Sequence, residues 1–227
     1  MEIVPGVHQV DGIGSVVNVF LVARPDGRIL IDTGLALSAR GVLKYLDRLS
    51  EAPSHVAAIL ITHGDLDHIG ALHHLKHATG AQVVAHKDEA ALVEGRELRK
   101  PTQPGLAQRV IDRVTRALFP IKPTHVEWPV VDGDEVFGLR VVHAPGHSPG
   151  SACYLLEKER VLFAGDALAH FGGRLSLPMK AYTTDMVQAA RSVKAIAQLD
   201  FDVCCFGHGP SIVGNAQAAV REFADRL

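Results

Sequence analysis

The stretch Thr62-His63-Gly64-Asp65-Leu66-Asp67-His68 follows directly on the apolar run Val56–Ile61 (Val-Ala-Ala-Ile-Leu-Ile). A short, continuous apolar run is expected of a strand covered on both faces, so the polar residues stand at a strand end. The arrangement recurs further along the chain. Gly146-His147-Ser148, Gly165-Asp166 and Gly207-His208-Gly209 follow the apolar segments Leu139–Ala144, Val161–Ala164 and Asp202–Phe206. Strand ends on one sheet edge open into a shared crevice, so clusters far apart in sequence can converge there. The glycines let the backbone turn sharply beside a crowded site. Together the clusters supply His63, Asp65, Asp67, His68, His147, Asp166 and His208. Imidazoles and carboxylates are ligands for borderline or hard divalent metals. Seven such groups exceed one tetrahedral site and suit two ions sharing a carboxylate. An acidic residue before a helix is often only an N-cap, but capping does not account for four histidines and three aspartates placed behind strands.

Outward from this stretch, the first 35 residues are expected to be β-structure, with strands at Val16–Ala23 and Arg28–Asp32 and a turn at Pro25-Asp26-Gly27. Leu37, Val42, Leu43, Leu46 and Leu49 have helical spacing. A helix from Ile69 should stop at Gly80, a natural C-terminal cap, before a strand at Ala81–Ala85 and a helix at Asp88–Leu98. Strands are also expected at Ala152–Leu156, and helices at Asp185–Leu199 and Asn215–Leu227. The order is β-rich then βαβα, twice over, with helices enough to cover the outer faces of two sheets. Between Pro101 and Pro123, a helix over Leu106–Phe119 carries Arg109, Arg113 and Arg116 on one side. Residues 90–125 could form a helical lid or insertion there.

The chain has 227 residues, enough for one large domain, which we take to span 1–227. A composition of 47% hydrophobic and 21% charged residues excludes intrinsic disorder. A net charge of −2 gives no electrostatic case for nucleic-acid binding. Cys153, Cys204 and Cys205 are expected to be buried, reduced thiols of a cytoplasmic protein. No secretory signal is visible, and no apolar run reaches the ~18 residues of a membrane span. Thirteen histidines outnumber tyrosine, tryptophan and methionine together.

The seven-residue stretch, with Gly146-His147-Ser148-Pro149-Gly150, Gly165-Asp166 and Gly207-His208-Gly209 in the same order, resembles the signature of the metallo-β-lactamase superfamily. The resemblance runs from Ile31-Asp32-Thr33-Gly34 to the C-terminus. It implies a four-layer αβ/βα sandwich with a dinuclear site at one edge of two sheets. Carried over by position, His63, Asp65 and His147 would hold one metal, Asp67, His68 and His208 the other, and Asp166 would bridge. Asp65 departs from the common pattern, which has histidine there. A carboxylate favours iron or manganese more than imidazole does, although zinc accepts it. The expected cofactors are thus two divalent ions per chain, zinc first, with iron or manganese as alternatives. The implied activity is hydrolysis of a small-molecule ester, lactone, thioester or amide by a metal-activated hydroxide, with Asp67 and Asp166 as the catalytic carboxylates. An iron oxidoreductase of the flavodiiron or persulfide-dioxygenase type and a non-catalytic metal-binding module are the alternatives.

Asp32 is expected to hold a ligand loop by hydrogen bonds. His170 and Tyr182, flanking the loop after Asp166, are candidates for touching substrate. His73 and His77 have the i, i+4 spacing of a zinc helix but no third ligand, and read as surface or packing residues. His86 ends a strand and reads as structural unless it lies near the site; His143 has no motif context. The expected partner is a small molecule, with no nucleic acid and no membrane span; a homodimer is compatible with the sequence.

Overall fold

The computed structural model describes residues 1–13, 17–98 and 121–227. The expected helix Leu106–Phe119 with its arginines, and so the core of the 90–125 lid, lies outside the described residues. One sheet has seven strands in sequence order: β1 (Glu2–Val4), β2 (Val7–Gln9), β3 (Phe20–Arg24), β4 (Gly27–Ile31), β5 (Val56–Ile61), β6 (Gln82–His86) and β7 (Trp128–Val130). The first four pair antiparallel and the pairs from β4 to β7 are parallel. The second sheet draws on β8 (Glu135–Val136), β9 (Leu139–His143), β10 (Ala152–Leu156) and β11 (Val161–Gly165). After a separate hairpin, β12 (Ala169–Phe171) and β13 (Arg174–Ser176), it is completed by β14 (Val203–Phe206) and β15 (Ile212–Val213), in the order β15-β14-β11-β10-β9-β8.

Alternation along the strands decides the layers, because successive side chains point to opposite faces. Phe20, Val22, Ile29, Ile31, Ala58, Leu60 and Val84 meet Val141, Tyr154, Leu156, Phe163 and Cys205 of the other sheet in one buried cluster. Leu21, Leu30, Ile59, Ile61 and Val83 turn the opposite way. They are covered by Val42, Tyr45 and Leu46 of α1 (Ser38–Arg48) and by Leu72 and Leu75 of α3 (Leu72–Thr79), which follows the short α2 (Leu66–Ile69). Across the molecule, Cys153, Leu155, Leu162, Cys204 and Phe206 pack on Val193 and Ile196 of α5 (Met186–Ile196) and on Val220 of α6 (Ala216–Ala224). The result is helix, sheet, sheet, helix, the sandwich that the sequence implied. Cys204 and Cys205 face opposite layers, and all three cysteines are buried and unbonded to one another. Burial raises each thiol, that of Cys153 to about 12.

Most expected elements appear within a few residues of their reading. The helix after the ligand loop breaks into α2 and α3 around Gly70. A side chain there would meet the Leu66 carbonyl at 2.6 Å and the Ala36 amide nitrogen at 2.8 Å. Gly80 caps α3 in the left-handed region at φ 74°, its N–H donating to the Lys76 carbonyl, as its position promised. The helix expected at Asp88–Leu98 is the shorter α4 (Lys87–Val93), and the first long strand begins at Phe20 rather than Val16.

The topology fixes where the strands end. β4, β5 and β6 run parallel, so their C-terminal ends share an edge. In the other sheet β9 is antiparallel to β10, β10 to β11, and β11 is parallel to β14. Thus β9, β11 and β14 also end together. The two edges are stitched where the Ala152 N–H donates to the Thr62 carbonyl at 2.9 Å and the fully buried Tyr154 hydroxyl donates to the Ile61 carbonyl at 2.8 Å. Tyr154→Phe leaves that carbonyl without its donor and should cost ~1–2 kcal/mol. The check is a urea midpoint on metal-free protein; an unchanged midpoint would show that the two edges are held together without this bond.

Candidate metal centre

Asp32 follows β4 and is buried with φ 59°, a left-handed conformation that aspartate tolerates better than most residues. Its Oδ1 accepts the Thr62 N–H at 2.8 Å; its Oδ2 accepts both the Thr62 hydroxyl and the His68 Nδ1–H, each at 2.8 Å. One carboxylate thereby joins the ends of β4, β5 and α2, as the sequence suggested for this residue.

These bonds also determine which imidazole nitrogens carry protons. The Thr62 hydroxyl gives its hydrogen to Asp32, so it accepts from His63 Nδ1–H at 3.1 Å. His147 Nδ1–H donates to the Thr183 hydroxyl at 3.3 Å, whose own hydrogen goes to the Met179 carbonyl. In all three histidines Nδ1 is held by the scaffold and Nε2 faces the centre, where His147 Nε2 also lies within hydrogen-bond distance of Asp65 Oδ2. These nitrogens converge. His147 Nε2 lies 3.1 Å from Asp65 Oδ2 and 3.9 Å from Asp166 Oδ2, and His63 Nε2 lies 3.6 Å from Asp65 Oδ2. His68 Nε2 is 3.5 Å from Asp166 Oδ1 and 3.9 Å from Asp67 Oδ2, and His208 Nε2 is 3.3 Å from both Asp67 and Asp166.

All seven residues singled out in the sequence are therefore brought together. They form two triads, His63, His147 and Asp166 beside Asp67, His68 and His208, with Asp166 reaching the histidines of both and Asp65 between His63 and His147. The Nε2 atoms of His63 and His68 and Oδ1 of Asp166 are buried without a hydrogen-bond partner among the described residues. Orphaned buried acceptors are costly unless a cation satisfies them, and an imidazole–carboxylate donor set fits divalent metal.

Charge is distributed accordingly. Burial opposes ionisation of Asp166, yet His68, His208 and His63 hold it well below the usual carboxylate range. Asp67 is lowered in the same way, against burial, chiefly through His208. Burial also works against a charge on His68, but Asp32, Asp166 and Asp67 prevail and push it up to about 9. For His147 burial dominates and lowers the pKa.

Other supports were not foreseen. Glu89, buried on α4, accepts the Gly64 N–H at 2.8 Å through Oε2, and the Ser148 hydroxyl at 2.7 Å and Gly150 N–H at 2.9 Å through Oε1. It clamps the loop of His63 to the loop of His147. In sequence it reads as one acidic residue of a helix's first turn, and only its burial reveals the clamp. Asn18 Nδ2 donates to the carbonyls of Phe206 and Gly209 at 2.9 and 2.6 Å, tethering the His208 loop. Gly207 passes so close that a side chain there would collide with Asp166 and His68. His170 Nδ1–H donates to the Pro210 carbonyl at 2.7 Å and so reaches the same loop, while the neighbouring Phe171 lies over the His208 ring at 6.4 Å. Tyr182 is 54% exposed on the turn leading into Thr183. His73 and His77 face one another on α3 with ring centroids 4.6 Å apart, outside the metal-competent groups found among the described residues.

Residues 12–208 match the family model of the metallo-beta-lactamase superfamily. The chain belongs to that superfamily. Among relatives of this metallo-beta-lactamase superfamily member, the probable metallo-hydrolase YflN of Bacillus subtilis is 29% identical over all of this chain and 92% of its own. The acyl-coenzyme A thioesterase MBLAC2 of Gallus gallus is 31% identical over 68% of this chain and 58% of its own. The structure of TTHA1623 in a di-iron-bound form superposes with a TM-score of 0.71 at 27% identity, covering 95% of this chain and 98% of that one. The chain is a metallo-hydrolase of this superfamily. No helix among the described residues is long and apolar enough to cross a membrane.

Because Asp32 orients His68 and, through Thr62, His63, Asp32→Asn should weaken metal retention by ~10–100-fold, the usual effect of losing a ligand's supporting partner. Competition of the metal-loaded variant against a chromogenic chelator measures this. Affinity equal to wild type would remove Asp32 from the centre's support.

Proposed function

We propose that the centre holds two divalent ions, the first by His63, Asp65 and His147, the second by Asp67, His68 and His208, with Asp166 shared. The observation that carries the reading is the convergence of seven donors around buried, unpartnered Nε2 and Oδ1 atoms. Bound there, such ions supply Lewis acidity towards a carbonyl oxygen and a hydrolytic nucleophile at neutral pH.

The chain's own groups position and shield. The Asp32, Thr62 and Thr183 oxygens keep each Nδ1 protonated, and so hold the Nε2 lone pairs inward. Asp67, the more exposed of the two catalytic carboxylates, stays ionised and is placed to accept a hydrogen bond from the attacking water and to steer it. Phe171, over the His208 ring, and His170, bonded to the same loop, are the residues we take to contact the acyl part of a substrate, with exposed Tyr182 as a further candidate. We infer a small-molecule ester or thioester as substrate. The thioester arm draws support from the name of the Gallus gallus relative, and lactone and amide stand behind it. We take the chain as one such domain acting in the cytoplasm, in keeping with its reduced, buried thiols.

Asp65 favours a second reading of the metal. A carboxylate where the family pattern has imidazole makes the first position harder, and the TTHA1623 structure is of a di-iron-bound form. Iron at this centre would open oxidoreductase chemistry on the same ligands.

Purified protein screened against chromogenic thioesters, oxygen esters, lactones and amides should hydrolyse at least one and lose that activity reversibly on chelation. Asp166→Ala should drop turnover ~100-fold or more and metal content towards one ion per chain. Undiminished turnover after complete metal stripping would sink the hydrolase reading, and two retained ions in the variant would remove Asp166 as the shared ligand. Separately, Asp65→His, expressed beside wild type in medium with equal zinc, iron and manganese, should shift the bound metal towards zinc. An indistinguishable zinc-to-iron ratio would mean that Asp65 does not ligate.

A further inference from the structure

Glu89 belongs to none of the polar clusters behind the strands, yet it is buried where two of their loops meet. The helix that carries it, α4, is fixed at its start. His86 Nδ1 accepts the Asp88 N–H at 3.3 Å, and the His86 ring stacks on His143 of β9 with centroids 4.0 Å apart. His143 Nε2–H donates in turn to the Pro149 carbonyl at 2.9 Å. From this base the Glu89 side chain reaches both loops. Its Oε2 takes the N–H of Gly64, the residue between His63 and Asp65, at 2.8 Å. Its Oε1 takes the Ser148 hydroxyl at 2.7 Å and the Gly150 N–H at 2.9 Å, just after His147. Both loops press on the helix. A side chain at Gly64 would strike Leu92, and one at Gly150 would meet Glu89 Cγ at 2.7 Å and its backbone nitrogen at 2.9 Å.

The partners of Glu89 are thus chain neighbours of His63, Asp65 and His147, the donors assigned to the first position. The second position is braced elsewhere, His68 by Asp32 and the His208 loop by Asn18. Among the described residues, no hydrogen bond of Glu89 reaches α2 or the 207–209 loop. We propose that Glu89 is a positioning residue for the first metal position alone. The inference rests on the two-ion assignment made above. Three donors from two loops on one rigid carboxylate fix the gap across which Asp65 Oδ2 faces His147 Nε2 at 3.1 Å and His63 Nε2 at 3.6 Å. Ligands held in place beforehand need no ordering when the ion arrives, and the ordering cost avoided appears as affinity. Loss of the clamp loosens one position and leaves the other as it was.

The test separates the positions. His208→Ala removes a donor of the second position, so its retained ion reports on the first; His147→Ala does the reverse. Zinc affinity of each full-length protein is measured by competition with a chromogenic chelator, with and without Glu89→Gln. Glutamine keeps the shape and an acceptor for Ser148 and Gly150, but sets an amide donor against the Gly64 N–H. Glu89→Gln should weaken zinc ~10–100-fold in the His208→Ala background and leave it unchanged in the His147→Ala background. Ser148→Ala removes one bond of the clamp and leaves two, so it should show the same selectivity to a smaller degree, and it carries the test where Glu89→Gln does not fold. A role confined to the stability of the fold would weaken both backgrounds alike. Equal weakening in both, or none in either, would overturn the proposal. Failure of the two-ion assignment shows earlier and separately, as a parent variant that does not hold one zinc per chain, and the proposal falls with it.

Discussion

The carboxylate of Asp32 is the constraint on which the rest depends. Its two oxygens, set at the end of β4, hold Thr62 at the end of β5 and His68 within α2. A buried carboxylate is expensive unless its lone pairs are filled, and here three donors fill them. The anion in turn demands a protonated Nδ1 on His68, which turns Nε2 towards the centre. A hydrogen bond within the scaffold thus decides the protonation state of a residue facing the centre. The left-handed backbone at Asp32 is the local strain that this arrangement tolerates.

The remaining convergence comes from topology. Parallel pairing of β4, β5 and β6 puts their C-terminal ends on one edge, and the alternation of β9, β10, β11 and β14 brings three further ends to the facing edge. Each sheet alone offers only part of the donor set: His63, Asp65, Asp67 and His68 follow the first, and His147, Asp166 and His208 the second. The centre is therefore a feature of the interface between sheets, which is why the clamps that cross it, Glu89 among them, matter as much as the donors.

This division explains what was legible in the sequence. Strands such as Val56–Ile61 and Ala152–Leu156 announce themselves as continuous apolar runs, and the polar residues behind them announce the site. The pairing of inner and outer faces followed from period-two alternation, down to the opposite orientations of Cys204 and Cys205. What escaped depends on contacts between distant segments. The break between α2 and α3 falls where the Ala71 N–H donates to the Gly34 carbonyl of another segment and not to its own helix, which no local propensity encodes. Glu89 looks like any acidic first-turn residue until three donors from two other loops surround it. The Asn18 tether joins residues almost the length of the chain apart. His86 and His143 each lack a motif and become a pair only through the packing of one sheet on another.

The two halves of the centre are not equivalent, and the difference lies in what stands behind each imidazole. His63 and His147 donate to neutral hydroxyls, those of Thr62 and Thr183, whereas His68 donates to the Asp32 carboxylate. An anionic acceptor makes the imidazole a stronger donor on its other nitrogen, and the raised pKa of His68 expresses that same bias. Each side has one carboxylate of its own, Asp65 beside His63 and His147 and Asp67 beside His68 and His208, so the donor types match. What distinguishes the two sides is the acceptor behind the imidazoles, since His68 leans on a buried anion and His63 and His147 lean on hydroxyls. An ion beside His68 would meet a nitrogen whose basicity Asp32 raises, so any difference in donor strength between the two sides would follow from that single hydrogen-bond acceptor.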